Sequence, residues 1–135
     1  MGRYLLDSNA FVRFKVKPHT LQTQARETIE DPGNELFVSV AGLWQLAVKA
    51  ARGRLKDYEH LFVGGASEIL ASLRESNIEL LPIELVQTFA AARLPPHHGD
   101  PFDRLMIAQA LERDLTVITS DRHFQYYSGV RLLAA

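Results

Sequence analysis

The 135-residue sequence predicts an α/β fold, a central and mostly parallel sheet flanked by helices, in one domain over residues 1–135. Short apolar runs rich in Leu, Val and Ile alternate along it with longer stretches of helical periodicity. At 47% hydrophobic and 23% charged, the chain can bury a substantial core. No internal repeat, low-complexity tract or linker divides it.

RYLL (3–6) reads as the first strand, and Asp7-Ser8-Asn9 after it is a polar set suited to starting a helix. DPGN (31–34) is a turn leading into a second strand, ELFVSV (35–40). The stretch 41–55 is helical, with Leu43, Leu46, Ala47 and Ala50 on one face and a stop near Gly53. Trp44 on this helix is expected in the core rather than as a base-stacking platform. Residues 58–75 read as helix, with Gly64-Gly65 arguing against an unbroken one. IELLPI (78–83) is a third strand and 84–94 a helix that Pro95-Pro96 ends. Asp100-Pro101 opens the next helix, since the carboxylate caps free backbone N–H groups and proline suits the first turn. LTVITS (115–120), rich in β-branched residues, is a buried strand, and VRLL (130–133) a weak last one.

Composition excludes several chemistries. There is no cysteine, hence no disulfide, thiolate zinc site or cysteine nucleophile. With 15 Lys+Arg against 16 Asp+Glu the net charge is −1, so nucleic-acid binding would rest on local patches. The opening MGRYLLDSNA has no signal-peptide pattern, and Leu6 stands where a myristoylation signal needs Ser or Thr. No apolar run is long enough to cross a membrane. A soluble protein of a reducing compartment is the expectation.

Function in open α/β sheets gathers beyond the carboxyl ends of the strands. Asp7 follows the first strand, Asp121 follows LTVITS, and Asp103 opens the helix that feeds that strand. Singly, each has an ordinary explanation in turn or cap chemistry. Asp103 has the least, because Asp100 already supplies the cap. Carboxylates crowded at one sheet edge raise each other's pKa unless a cation neutralises them, and an all-oxygen cluster suits Mg2+ or Mn2+. His97 and His98 lack the helical spacing of a zinc pair and are assigned to a loop, with RNA contact as the alternative.

YLLDSNAFV, SVAGLWQLAVKAARGRL, HHGDPFDRLMIAQAL and LTVITSDRHF occur in the order found in PIN-domain proteins, and the chain most resembles the VapC-type toxins of bacterial type II toxin–antitoxin systems. The resemblance covers nearly the whole chain, with little signal over residues 58–93. It implies a PIN-like fold and an Mg2+- or Mn2+-dependent ribonuclease with Asp7, Asp103 and Asp121 as catalytic metal ligands. Ser8 and Asn9 would sit beside the metal, Asp100 outside the ligand shell, and Ser120 would orient Asp121. It also implies a cytoplasmic homodimer, neutralised by a cognate antitoxin that reaches into the acidic pocket. The chain departs from the family where a glutamate is typical: LWQLAVK places Gln45 there. An amide oxygen can still ligate a hard cation, so Gln45 is a further candidate ligand, but it brings no charge.

The leading reading is hydrolysis of an RNA phosphodiester by a water that the divalent ion makes more acidic, and the resemblance implies products with a 5′ phosphate and a 3′ hydroxyl. Lys49, Arg52, Arg54 and Lys56 could grip the RNA backbone, with Arg13, Lys15 and Lys17; equally, these charges could serve helix ends. The alternative is a catalytically weakened PIN fold, acting mainly as an antitoxin- or RNA-binding partner. An aspartate-nucleophile phosphatase needs a second Asp two residues after Asp7, where Asn9 stands.

Overall fold

The computed structural model describes residues 1–97 and 99–135, so His98 lies outside the described residues. Five strands, β1 (Arg3–Leu6), β2 (Glu35–Ser39), β3 (Ile78–Leu81), β4 (Thr116–Thr119) and β5 (Leu132–Ala134), form one sheet in the order β3-β2-β1-β4-β5. Every pairing is parallel, so the expected mostly parallel sheet is wholly parallel among the described residues. Among the described residues six α-helices connect and cover it: α1 (Ser8–Val16), α2 (Thr23–Glu30), α3 (Val40–Ala51), α4 (Gly65–Glu75), α5 (Leu85–Ala92) and α6 (Pro101–Arg113).

Alternation along the strands sends side chains to two cores, as a sheet covered on both faces requires. Leu6, Val38 and Ile118 pack with Phe11, Ala25, Leu46 and Leu73 on one face. Leu5, Phe37 and Val117 pack with Met106, Ile107, Phe124 and Tyr127 on the other. The α5–α6 contact is joined by a buried polar chain. Ser39 Oγ donates to Gln109 Oε1, and Gln109 Nε2 donates to Gln87 Oε1 at 3.1 Å and to the Pro82 carbonyl at 3.2 Å.

Several expectations are corrected. α2 was not anticipated: only Ala25 and Ile29 of TQARETIE are buried, too few to mark a periodic face. The helix expected over 58–75 is a 3-10 turn (Glu59–Phe62) followed by α4, which starts at Gly65 with φ +73°. The expected stop near Gly53 does hold: α3 ends at Ala51, and the φ of +66° at Gly53 suits the residue that turns a chain out of a helix. Trp44 is not in the core. It is 60% exposed and meets Phe102 edge-on at 5.1 Å; none of the described elements covers that flank of α3. It lines an open apolar groove of about 820 Å3 with Leu43, Ala47, Phe62, Leu70 and Leu80.

A candidate metal centre

β1 and β4 are neighbours on either side of the point where the strand order reverses, where open α/β sheets leave a crevice at their carboxyl ends. Leu6 pairs with Ile118, and the Asp7 N–H donates to the Ile118 carbonyl at 3.1 Å. Asp7 therefore leaves the sheet beside Thr119, and Asp121 follows two residues on. α6 brings its N-terminus, with Asp100 and Asp103, to the same edge. A cavity of about 430 Å3 there is lined by Asp7, Ser8, Asn9, Gln45, Asp100, Asp103, Ser120 and Asp121, with Lys49 also on its wall. Every sequence-predicted acid and its polar neighbours thus share one cavity.

Their local settings differ. Asp7 caps α1, accepting from the Ala10 N–H at 2.8 Å, and its other oxygen accepts the Thr119 hydroxyl. Burial pushes its carboxyl above the usual range, against the pull of those hydrogen bonds; the Asp121 charge adds to the rise and Arg13 opposes it. Asp100 caps α6 as expected: Oδ1 accepts from the Phe102 N–H at 2.9 Å and the Asp103 N–H at 3.3 Å. Asp121 Oδ1 accepts from the His123 N–H and faces His123 Nδ1, each at 2.9 Å. The Asp103 carboxylate receives no hydrogen bond among the described residues. Burial, and then the charges of Asp100, Asp121 and Asp7, push its pKa up to about 7, with Lys49 pulling the other way.

Gln45 reaches the cavity from α3. Its Oε1 accepts the Ser8 hydroxyl at 2.8 Å and its Nε2 donates to Asp100 Oδ2 at 3.1 Å. Ser8 also sits 3.2 Å from the Gly42 carbonyl, an approach open because a Cβ on Gly42 would lie only 3.0 Å from Ser8 Oγ.

Two assignments shift. The hydroxyl on the Asp121 backbone N–H is that of Thr119, at 3.0 Å, while Ser120 Oγ accepts from Arg13 at 3.3 Å. Sequence reasoning passed over Thr119, although its place two residues before the acid in TSD is the spacing of a local side-chain turn. Nor do Arg13, Lys15 and Lys17 form an open basic patch. Arg13 holds Thr20, Asn9 and Ser120, Lys15 holds the Ser72 carbonyl and Ser76, and Lys17 pairs with Asp57 at 2.7 Å. Lys49 stands at the cavity wall, and Arg52, Arg54 and Lys56 are exposed beyond the end of α3. His97 packs edge-on against Tyr127 at 4.9 Å.

Residues 4–130 match the PIN domain family. The chain belongs to that family. No curated protein sequence matches it. Among solved structures, its fold is similar to that of a chain in the VapBC2 complex of Rickettsia felis bound to a promoter DNA fragment, with TM-score 0.71, 18% identity and 98% of each chain covered. It is also similar to a chain of the DNA-bound VapBC complex of Salmonella typhimurium, with TM-score 0.66, 18% identity, and 99% of this chain and 98% of that one covered. A third such structure is the FitAB complex bound to a DNA fragment, with TM-score 0.57, 16% identity, and 97% and 94% covered. At these identities the likeness establishes the PIN fold.

The donor set suits a hard divalent cation: oxygen ligands only, an excess of negative charge, and one carboxylate without a donor among the described residues. Among the described residues no group of three or more His, Asp or Glu side chains is placed to hold a metal ion. Asp7, Asp100 and Asp121 are held by protein N–H and O–H donors around the cavity instead.

Proposed function

We propose that this PIN domain, acting as one domain over the whole chain, is the toxin of a type II toxin–antitoxin system and cleaves RNA with the help of Mg2+ or Mn2+. The observation that carries the reading is the convergence of Asp7, Asp103 and Asp121, from three separate elements, on one cavity at the carboxyl edge of the sheet. In that cavity Asp103 accepts no hydrogen bond from the described residues and is pushed to a pKa of about 7 by burial and its acidic neighbours. Asp7, Asp103 and Asp121 would hold the ion. When bound, a divalent cation supplies an acidified water and offsets the charge that builds on the phosphate oxygens.

The chain's own residues do the rest. The Ala10 N–H and the Thr119 hydroxyl fix Asp7, the α6 cap at Asp100 presents Asp103, and Thr119 anchors the Asp121 backbone. Lys49 at the cavity wall, with Arg52, Arg54 and Lys56 beyond it, would draw the RNA backbone toward the carboxylates. The toxin role also rests on the fold shared with chains of VapBC complexes. A cytoplasmic location, a homodimer and a cognate antitoxin belong to the same reading. No helix among the described residues is long and apolar enough to cross a membrane.

Induced expression in bacteria tests it. The native chain should arrest growth, co-expression of the antitoxin encoded beside it should relieve the arrest, and Asp7→Asn should abolish it. Full toxicity of Asp7→Asn would overturn the nuclease reading in favour of a binding module.

A further inference from the structure

We propose that Gln45 is a positioning residue that latches Asp100, so that the two side chains satisfy each other and the ion is left to Asp7, Asp103 and Asp121. The inference rests on the metal-centre reading above.

Gln45 could ligate a cation only through Oε1, because its amide nitrogen carries no available lone pair. That oxygen already accepts the Ser8 hydroxyl at 2.8 Å, and Nε2 donates to Asp100 Oδ2 at 3.1 Å. The remaining Asp100 oxygen is engaged by two N–H groups at the start of α6. Each polar atom of Gln45 thus has a protein partner, and Asp100 is held by three donors against two on Asp7. Asp103, in the same cavity, accepts nothing from the described residues.

The chemistry of the amide makes the arrangement possible. A glutamate at position 45 would place an acceptor against the Asp100 carboxylate, a contact that only a shared proton or cation could make favourable. Glutamine offers a donor to Asp100 and an acceptor to Ser8 at once. It does locally for Asp100 what a cation would otherwise do. Gln45 also ties α1, through Ser8, to the start of α6, through Asp100, and so sets the distance across the cavity between Asp7 and Asp103.

A latch and a ligand predict opposite signs on mutation. Removing a ligand weakens ion binding; releasing a latch frees a carboxylate at the cavity wall and strengthens it. The experiment titrates purified protein with Mn2+, follows the electron paramagnetic resonance signal of the free ion, and checks folding of each variant by circular dichroism. Gln45→Ala is expected to tighten Mn2+ binding by about threefold to tenfold, the size of one side-chain hydrogen bond that Asp100 no longer gives up in turning to the ion. Gln45→Met, which keeps the side-chain length, should shift binding the same way if the alanine variant folds poorly. Adding Asp100→Asn, which still caps the helix, should remove the gain. A purely structural role would not produce a gain that depends on Asp100. Weaker binding by folded Gln45→Ala or Gln45→Met would make Gln45 a ligand, and unchanged binding would mean no latch; either overturns the proposal while leaving the metal centre standing. No Mn2+ binding by the native protein would overturn the metal-centre reading itself, and the latch with it.

Discussion

Asp103 carries the clearest electrostatic signature in the molecule. Its carboxyl is raised to about 7, against roughly 3.9 for an unperturbed aspartate. Between those values the folded protein holds a proton that the unfolded chain has released, so this group's stabilising contribution is lost as pH rises through about 7. Lowering the pH from about 8 to about 6 should therefore raise the melting temperature of metal-free protein, and Asp103→Asn should flatten the dependence. Mn2+ and the proton compete for the same carboxylate, so affinity for the ion should fall by up to about tenfold per pH unit below that value. Asp7 is a second case in which function and stability pull apart. Burial raises its pKa, and an asparagine could keep the Ala10 hydrogen bond without a buried charge. Asp7→Asn is expected to leave the melting temperature unchanged or higher while abolishing RNA cleavage. A large loss of stability in that variant would mean that the carboxylate is chiefly structural.

At the scale of elements, α6 is where sequence and structure agree best. Asp100, Pro101 and Asp103 carry their cap, first-turn and charge signals within four positions, so the helix start and its acid could be read before any fold was known. Local signals of that kind survive tertiary context. What depends on neighbours did not come through: the exposure of Trp44 reflects an uncovered flank of α3, and the burial of Gln109 and Gln87 reflects partners on other elements. The convergence of Asp7, Asp103 and Asp121 was legible because strand order in parallel sheets follows rules, while the Gln45–Asp100 bond joins residues far apart in the chain and has no local sign. The Ser39–Gln109–Gln87 chain makes its own prediction. Gln109→Leu would leave the Pro82 carbonyl and Gln87 Oε1 without the amide donor, a cost of about 1–3 kcal/mol that a lower urea midpoint would report.

At the scale of the whole molecule, a net charge of −1 would leave the proposed RNA binding to a local surface. With Arg13, Lys15 and Lys17 engaged within the protein, the candidates are Lys49 at the cavity and Arg52, Arg54 and Lys56 beside it. Replacing Arg52, Arg54 and Lys56 together by Ala should weaken RNA binding and shallow the slope of log affinity against log salt by about 0.7 per lost phosphate contact. An unchanged slope would place the RNA on another face. The central claim is that three aspartates at the edge of a parallel sheet make this PIN domain a metal-dependent ribonuclease. Its most direct test is RNA cleavage by purified, antitoxin-free protein and by Asp103→Asn, each with Mg2+, Mn2+ or EDTA. The native chain should cleave RNA in Mg2+ or Mn2+, yielding 5′-phosphate and 3′-hydroxyl ends, with no cleavage in EDTA or by Asp103→Asn. Equal cleavage in EDTA or by Asp103→Asn would contradict it, as would a folded native chain that binds RNA and leaves it intact in both metals.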